Sequence, residues 1–548
     1  MDIFSYGNSD FNRDAHTDHP NKKNDSFLNM DRQKMMIENY FEQISAIPRL
    51  KTDRIIAFLK DWADSNGFKY GTNSFTYTVK DTLTNQKREE TGENIWIDVP
   101  ATQGYENYPN VILQGHLDMV CKKDDKNGKD HNFETDPIDI IANDNFITAN
   151  GTTLGADNGI GIAIMMAIAT GTEPHGPLRL LMTGNEEKGC EGAESLDPSV
   201  LNSDYLINLD YEDIEQICYS SAGNTMISIN KINKFLPEYL SYNDIIGTLN
   251  ITGLPGGHSG LKIHEKRLPA NVVFSTFLQE LIKEGMKPKL SLIKSGNEAN
   301  AISDIATVVF SIQKKDEENV KNILSNLQPK YYEEYGSENL KDKDNNPFDC
   351  KLSFKEYKDP DMTFLREEDS ASIINFLNEL PQGVLNMLEG NNSLVETSSN
   401  TGQISLDNLS LEFGICSRSC NDEKLKKLRN DICDLANNYF GSHELNIKST
   451  FSPSWNEDPN SSLINLIKEG YDLNTDIEEV KKVAVHAGLE CSIFALKKLG
   501  IHLVSMGPTI DWAHTTKETL HTDTLTPCMD VVNYCLKNIN VIDNIAEI

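Results

Sequence analysis

The chain has 548 residues, 83 acidic and 51 basic side chains, and a formal net charge of −32 at pH 7. Its length predicts roughly two to four domains, and so acidic a surface excludes nucleic acids and anionic membranes as expected partners. No run of about 18 apolar residues predicts a transmembrane helix, and the scattered cysteines are expected to be free thiols of an intracellular protein.

Residues 1–30 are predicted to be a flexible extension, because they are polar and lack the apolar run of a signal peptide. The first predicted helix begins at Asp31, where apolar residues recur three and four apart as far as Pro48. A second amphipathic helix is predicted to end at Gly67. The stretches "FTYTVK", "NIWIDVP" and "NVILQG" then have the composition of strands.

Strands and helices alternate in the next part of the chain. The apolar stretch "GIGIAIMMAIATG" predicts a helix, while "LRLLMTGNEEKG" and "YLINLDYED" each predict a buried strand followed by an acidic turn. This alternation is typical of an α/β fold with a mixed, largely parallel sheet flanked by helices. Functional groups in such sheets gather beyond the carboxyl ends of the strands, which is where this chain has its acidic turns.

The pattern changes after about residue 216, where alternating strands mix with amphipathic helices such as "ANVVFSTFLQELIKEG". We interpret residues 216–449 as an inserted α+β domain. Residues 31–215 and 450–548, which return to α/β character, are predicted to be the two parts of one domain.

The predicted strand "VILQG" leads into His116 and Asp118, two residues apart. Positions i and i+2 of a strand end point to the same side, so the carboxylate can orient the imidazole and raise its basicity. Histidines that bind metals usually have such a partner. Most His-x-Asp pairs are ordinary loop residues, however, so the interpretation requires further ligands elsewhere in the chain.

Other turns supply those ligands. Asp157 precedes an apolar helix, where an N-cap is the simplest interpretation of the residue alone. Glu186 and Glu187 follow a strand directly, so one carboxylate can bind a cation while the other accepts a proton from bound water. Asp210 ends another strand, and His514 lies in a turn near the C-terminus.

Two histidines and three carboxylates are what two divalent cations need if one aspartate bridges them. Mixed nitrogen and oxygen ligands favour Zn²⁺, with Co²⁺ or Mn²⁺ as alternatives. Cys121 and Cys190 lie near these turns and are interpreted as buried small hydrophobic residues.

The motifs "GHLDMV", "GADNGIGIA", "TGNEEKG", "NLDYED", "PGGHSG" and "AHTTKE", in this order, resemble those of the aminoacyl-histidine (Xaa-His) dipeptidases. This family belongs to the di-zinc metallopeptidase clan that also contains carboxypeptidases, aminoacylases and carnosinases. The stretches "NEANAI", "ETSSNTG", "ICSRSC" and "HAGLEC" resemble the same branch. The resemblance extends from about residue 31 to the end of the chain, and the N-terminal extension lies outside it.

The resemblance implies a role for each residue of the acidic turns. Asp157 would bridge the two metal ions, and the other four ligands would divide between them in a way that stays open at this point. These ligands are His116, Glu187, Asp210 and His514. Asp118 would orient His116, and Glu186 would be the general base that passes a proton from water to the leaving amine.

The resemblance also makes the inserted domain a lid and dimerisation domain that binds substrate. His258, in the glycine-flanked "PGGHSG", would donate a hydrogen bond to the tetrahedral intermediate, although an ordinary polar loop is the alternative. Asn300 and Arg418 would hold the substrate, because a guanidinium fork suits a C-terminal carboxylate. His486 and Glu490 would line the cleft, with open roles.

The implied protein is a cytoplasmic, homodimeric metallo-exopeptidase that hydrolyses dipeptides, Xaa-His dipeptides among them. Aminoacylases and tripeptidases use the same di-metal site and are the alternative enzymes. A non-hydrolytic peptide-binding relative is the alternative of another class, and the presence of Glu186 argues against it.

Overall fold

The computed structural model describes residues 22–80, 87–124, 130–143, 145–232, 235–342, 345–356, 362–388 and 391–540. Its helices are α1 (Lys22–Ser45), α2 (Asp53–Asn66), α3 (Ala156–Thr170), α4 (Glu186–Gly189), α5 (Glu191–Ser195), α6 (Ser259–Lys262), α7 (Ala270–Lys283), α8 (Glu317–Tyr335), α9 (Glu367–Glu379), α10 (Asp422–Phe440), α11 (Ser462–Asn474), α12 (Cys491–Lys497) and α13 (Leu525–Asn538).

The strands of the first half of the chain are β1 (Lys69–Lys80), β2 (Lys87–Val99), β3 (Val111–His116), β4 (Ile140–Ala142), β5 (Phe146–Ala149), β6 (Leu178–Thr183), β7 (Tyr205–Asn208), β8 (Gln216–Ser221), β9 (Gly223–Lys231), β10 (Pro237–Glu238) and β11 (Asp244–Thr252). Those of the second half are β12 (Lys289–Ser295), β13 (Ala306–Gln313), β14 (Asp349–Glu356), β15 (Phe364–Leu365), β16 (Gly383–Leu388), β17 (Asn391–Asp407), β18 (Ser410–Ser419), β19 (Asn446–Ser449), β20 (Trp455–Asn456), β21 (Lys481–Val485), β22 (His502–Ser505), β23 (Ile510–Asp511) and β24 (Thr519–His521).

The first sheet has the strand order β1-β2-β6-β3-β7-β22-β8-β20, and β21 pairs with β8. Its central strands β6, β3, β7 and β22 run parallel, while β1, β2 and β20 pair antiparallel at its ends. Helices cover both faces of this sheet, as the alternate residues of β3 show. Val111 and Leu113 pack in the core formed with α1, α3 and α13, whereas Ile112 packs in the core formed with α5 and α12. The predicted fold class, a mixed sheet flanked by helices, is confirmed.

The second sheet lies between Gly223 and Ser449 in the chain and has the order β14-β11-β13-β12-β17-β18-β9-β19, with β16 on β17. Its described pairs are antiparallel. Its core includes residues of α7, α8, α9 and α10. This is the α+β character expected of the insertion, although the strand Gln216–Ser221, placed after the predicted boundary, pairs within the first sheet. The domain division itself stays a prediction.

The first helix is longer than predicted. It begins at Lys22, inside the expected extension of residues 1–30, whereas the apolar periodicity predicted a start at Asp31. Adding residues to an existing helix costs little, so a polar stretch can continue one without apolar periodicity of its own. Residues 1–21 lie outside the described residues. Among the described helices, none has the length and apolar content that a membrane crossing requires.

A small sheet of the order β23-β24-β5-β4 completes the region around the acidic turns. Because β24 pairs with β5, it brings two connections side by side. One is the turn of residues 512–518 between β23 and β24, and the other is the loop of residues 150–155 that leads into α3. These two connections carry His514 and lead to Asp157, respectively.

Candidate metal centre

Three neighbouring parallel strands bring the predicted ligands to one edge of the first sheet. His116 ends β3 and lies opposite Thr183 at the end of β6, after which come Glu186 and Glu187. Asp210 follows β7, the neighbour on the other side of β3. Parallel strands have their carboxyl ends at the same edge, and the start of α3 adds Asp157 there.

Asp157 lies between two pairs of side chains. Its Oδ1 is 2.8 Å from His116 Nε2, which is also 3.4 Å from Asp210 Oδ1. Its Oδ2 is 2.8 Å from His514 Nε2, which is 3.0 Å from Glu187 Oε2. The geometry therefore groups His116 with Asp210 and Glu187 with His514, a division that the sequence left open.

These residues fit metal ions. His116, Asp157 and Glu187 each offer a ligand atom, and these atoms lie within 4.8 Å of one another. Glu187 Oε1 is a buried carboxylate oxygen that accepts no hydrogen bond from the described residues. The buried Asp210 Oδ1 accepts none from them either, although His116 Nε2 lies 3.4 Å away. An unpaired buried carboxylate oxygen is costly, and a bound cation would remove that cost. Imidazole and carboxylate groups together suit Zn²⁺ and related divalent ions.

The same crowding shifts the pKa values of the protein without metal. Burial raises the pKa of Asp210 to about 6. Burial also acts to raise the pKa of Asp157, but hydrogen bonds with His116 and His514 hold it well below its usual range. Hydrogen bonds with Asp157 and Glu187 raise the pKa of His514 to about 11. Metal ions bind neutral imidazole, so the ions and protons compete for these sites.

The sheet edge that carries His116, Asp157, Glu187, Asp210 and His514 is called the acidic edge below. Asp118 contacts two parts of it. Its Oδ1 lies 3.7 Å from His116 Nδ1, on the side where the sequence predicts an orienting carboxylate. Its two oxygens also accept backbone hydrogen bonds from Glu186 (3.0 Å) and Glu187 (3.3 Å). Asp118 therefore fixes the turn that carries both glutamates, which sequence reasoning did not anticipate.

Glu186 begins the short helix α4, next to the predicted ligand Glu187. Its Oε1 lies 3.7 Å from the thiol of Cys190. Burial raises the pKa of the Glu186 carboxyl well above its usual range, although the charge of a protonated His116 opposes this. The neighbouring carboxylates Asp210 and Glu490 raise it further. A raised pKa makes a carboxylate a stronger base, which is what a group that accepts a proton needs.

Two residues that the sequence analysis missed position Asp157. Both carboxylate oxygens of the buried Glu518 accept backbone hydrogen bonds from residues 154–157, at 2.8 to 3.3 Å. The buried Arg49 donates to the carbonyl of Gly155 in the same loop. An anion at the start of a helix is an expected feature, but the pattern does not reveal which distant carboxylate provides it.

A second cluster lies where the two sheets meet. Arg418 Nη2 is 3.3 Å from His258 Nε2, and His258 Nδ1 accepts a hydrogen bond from the backbone of Leu261 at 3.3 Å. His486, directly after β21 of the first sheet, has its Nε2 2.7 Å from Ser398 Oγ on β17 of the second. The structure thus brings together His258, Arg418 and His486.

This cluster is cationic but its imidazoles are neutral. Burial, followed by the charge of Arg418, lowers the pKa of His258 to about 4 and that of His486 to about 3. A protonated His514 also acts to lower the pKa of His258, so the second cluster lies within electrostatic reach of the acidic edge. A neutral imidazole in such a place can donate one hydrogen bond without carrying charge.

The remaining predicted residues lie close to these groups in different ways. The backbone carbonyl of Asn300 accepts a hydrogen bond from Ser259 at 2.8 Å and so supports the loop of His258. Glu490 is only 1% exposed, and its Oε2 accepts hydrogen bonds from Gln114 (2.6 Å) and Thr183 (2.8 Å). Its carboxylate therefore contacts β3 and β6 beneath the acidic edge. The substrate-binding roles of Asn300 and Glu490 stay predictions.

Known proteins resemble this chain over most of its length. It is 31% identical over 506 residues to the cytosol non-specific dipeptidase of Escherichia coli (strain K12), which covers 91% of this chain and 96% of that protein. The crystal structure of aminoacylhistidine dipeptidase from Vibrio alginolyticus matches with a TM-score of 0.74 and 28% identity, over 91% of this chain and 96% of that chain. A tripeptidase structure from Staphylococcus aureus, with a TM-score of 0.50 and 14% identity over 93% of this chain and 99% of that chain, is similar in fold.

The expected resemblance to Xaa-His dipeptidases is therefore confirmed. Residues 112–538 match the family described as Peptidase family M20/M25/M40, and this range includes every residue of the acidic edge and of the second cluster. Because this match extends over more than half of the chain, the protein belongs to peptidase family M20/M25/M40.

Proposed function

We propose that the protein is a metal-dependent dipeptidase that hydrolyses dipeptides, including dipeptides with a C-terminal histidine. The observation that supports this most strongly is Asp157, whose two oxygens each face a histidine paired with a carboxylate. Family membership supports peptide-bond hydrolysis, and the names of the E. coli and Vibrio relatives support dipeptides as substrates.

Two divalent cations would be held by five residues, with Asp157 between them. One cation would bind His116 and Asp210, and the other would bind Glu187 and His514. Zn²⁺ fits this set of ligands best, and Co²⁺ or Mn²⁺ are the alternatives. When bound, the cations supply Lewis acidity, which polarises a peptide carbonyl and lowers the pKa of a water molecule.

Glu186 would act as the general base. It lies beside the proposed ligand Glu187 in a turn whose backbone is held by Asp118, which keeps the two glutamates next to each other at the sheet edge. Its role is to accept a proton from the attacking water and then to donate that proton to the amine that leaves. Asp118 would support this role by keeping both His116 and the turn in place.

The second cluster would bind the other end of the substrate. His258 would donate a hydrogen bond from its neutral imidazole to the oxygen that becomes negative during the reaction. Arg418 would bind the C-terminal carboxylate, and His486 and Asn300 would help to shape this part of the site. Support comes from Leu261, whose backbone N–H donates to His258 Nδ1 and so leaves the proton of the neutral imidazole on Nε2. The buried Nε of Arg418, which has no hydrogen-bond partner among the described residues, supports the role of Arg418.

The proposal also assigns a role to each part of the chain. Residues 31–215 and 450–548 would form the catalytic domain, and residues 216–449 would form the lid. We also propose a cytoplasmic location, because the E. coli relative is named as a cytosolic enzyme, and a homodimeric state. Aminoacylase and tripeptidase activities use similar machinery, but no observation here favours either one.

A panel of substrates tests this function. Protein freed of metal with a chelator is assayed on Xaa-His dipeptides, other dipeptides, tripeptides and N-acetyl amino acids, each with added Zn²⁺, Co²⁺ or Mn²⁺. We expect hydrolysis of dipeptides only after metal is added, and weaker hydrolysis of the other classes. Preferential hydrolysis of tripeptides or N-acetyl amino acids, or no hydrolysis with any metal, would overturn the assignment.

A further inference from the structure

A cavity of about 330 Å³ opens beside Glu187, and most of its wall is formed by residues that the proposed function does not use. Its walls come from the loop before α2, the β1–β2 hairpin, the segment after β3 and the helix α4. They include Lys51, Thr52, Tyr77, Thr91, Val120 and Lys188. This volume is at the lower end of the range for small-molecule sites, so the cavity suits one side chain rather than a whole peptide.

The order of the strands places this cavity on one side of the metal-binding edge. The hairpin of β1 and β2 lies at one end of the first sheet, the ligand-bearing strands β6, β3 and β7 lie next, and β8 with β21 lies farther along. His486 directly follows β21. A Cβ on Gly260 would be 2.7 Å from the His486 carbonyl oxygen and 3.1 Å from Arg418 Nε, so Arg418 lies on that far side too.

This arrangement gives a bound dipeptide a direction. In the proposed function, Arg418 binds the C-terminal carboxylate and the metal-binding residues surround the carbonyl that is attacked. The first residue of the dipeptide must then extend away from Arg418, toward β1 and β2. The cavity beside Glu187 lies on that side.

The charges in the cavity indicate which side chain it favours. Lys51 and Lys188 are exposed, and neither ammonium group has a carboxylate within ion-pair distance among the residues that the structure describes. Glu187 forms an ion pair with His514 when the imidazole is protonated, and both oxygens of Asp118 accept backbone hydrogen bonds. Tyr77 donates its hydroxyl to Glu90 at 3.1 Å. Lys51 and Lys188 are therefore the exposed charged side chains of the wall, whereas Asp118 is buried and Glu187 partly buried.

We propose that this cavity is the specificity pocket for the first residue of the dipeptide, and that Lys51 and Lys188 make it favour an acidic side chain over a basic one. The proposal rests on the proposed function, since it uses the direction that Arg418 gives to the substrate. The lysines attract a negative side chain and repel a positive one across a wet rim, where charge interactions are modest.

Three dipeptides that differ only in the first residue test the charge preference: Glu-Ala, Gln-Ala and Lys-Ala. The wild-type protein with its metal should give a higher kcat/KM for Glu-Ala than for Lys-Ala. The double change Lys51→Gln and Lys188→Gln should lower the ratio of kcat/KM for Glu-Ala to that for Lys-Ala by about 10-fold. The matched control is Lys427→Gln, at an exposed lysine of α10, which should leave this ratio within about 2-fold of wild type.

A second variant tests the size of the pocket independently of charge. Thr91→Trp adds a large ring at the rim of the cavity and should lower kcat/KM for Phe-Ala about 10-fold more than for Gly-Ala. Thermal melting of each variant is the control that tests whether it is folded. If the double lysine variant keeps the wild-type ratio while all three dipeptides are hydrolysed, the pocket proposal is wrong although the dipeptidase assignment stands. If no dipeptide is hydrolysed by wild type, the dipeptidase assignment itself fails.

Discussion

Glu186 and Glu187 are adjacent in the chain but have different surroundings. Glu187 lies 3.0 Å from His514 and has a buried oxygen that accepts no hydrogen bond from the described residues, as expected of a metal ligand. Glu186 contacts the thiol of Cys190 instead, and its carboxyl is surrounded by other carboxylates. The turn held by Asp118 thus places two identical side chains in different surroundings, which suit the proposed metal-binding role of Glu187 and the proposed proton-transfer role of Glu186.

Changing Glu186 to Gln tests this separation. The variant should keep its full metal content, because the ligand Glu187 is untouched, while kcat falls by at least about 10²-fold for lack of a general base. Elemental analysis and steady-state kinetics measure the two effects. The matched control is Glu187→Gln, which should lower metal affinity as well as kcat. Turnover near that of wild type in Glu186→Gln would remove Glu186 from the mechanism.

The pKa of His258 predicts how its role depends on pH. Burial and the charge of Arg418 lower this pKa to about 4, so the imidazole is neutral at all pH values above about 5. Its protonation is lost well below the assay range, and His258 therefore cannot produce an acid limb near pH 6. His258→Asn should lower kcat by about 10²-fold but leave the shape of log kcat against pH unchanged between pH 5.5 and 8. A limb that disappears in this variant would show that His258 titrates in that range.

At the scale of elements, the turn between β23 and β24 contributes to the candidate centre twice. It carries His514, and four residues later it carries Glu518, whose carboxylate accepts hydrogen bonds from the backbone of residues 154–157. The turn is therefore attached to the same loop that positions Asp157. A change in Glu518 should disturb the spacing of Asp157 and His514 without removing either one.

Glu518→Gln should lower metal affinity by about 10-fold or more, because an amide NH₂ replaces one of the oxygens that accept these backbone hydrogen bonds. Titration of the protein with Zn²⁺ against a competing chelator measures the change. Lys517→Gln, at the exposed neighbouring residue of the same turn, serves as the control and should bind metal as wild type does. Equal affinities for Glu518→Gln and wild type would mean that these hydrogen bonds do not position the ligands.

The element pattern predicted the location of the candidate centre but not its internal arrangement. Buried strands followed by acidic turns were enough to expect His116, Glu187 and Asp210 at one sheet edge, since parallel strands end together. The pairing of His116 with Asp210 depends on distances across separate strands, which one sequence does not reveal. Glu518 was missed because a carboxylate in a polar turn resembles a solvated one until tertiary packing buries it.

At the scale of the whole molecule, polar side chains join the two sheets near the candidate centre. His486 of the first part contacts Ser398 of the second at 2.7 Å, and Ser398 lies opposite Arg418 in the pairing of β17 with β18. The fold class and the family were predictable from the sequence, and both are confirmed. The helical start at Lys22 was not predictable, because the helix continues there without apolar periodicity.

Arg418 lies where the two sheets meet. Changing it therefore tests whether residues of both sheets bind the same substrate. Arg418→Ala should mainly raise KM, because the carboxylate is bound in both the ground state and the transition state. Dipeptide amides, which lack that carboxylate, should be much poorer substrates than free dipeptides for wild type but not for the variant. Equal losses in both proteins would mean that Arg418 does not bind the carboxylate.

The central claim is that dipeptide hydrolysis depends on two metal ions held around Asp157. The most direct measurement is a titration of metal-free protein with Zn²⁺, in which bound metal and the rate of dipeptide hydrolysis are followed together. We predict that activity reaches its plateau at about two ions per chain, and that Asp157→Asn abolishes it, because the bridging carboxylate belongs to both ions. Full activity of the metal-free protein, or of Asp157→Asn, would contradict the account.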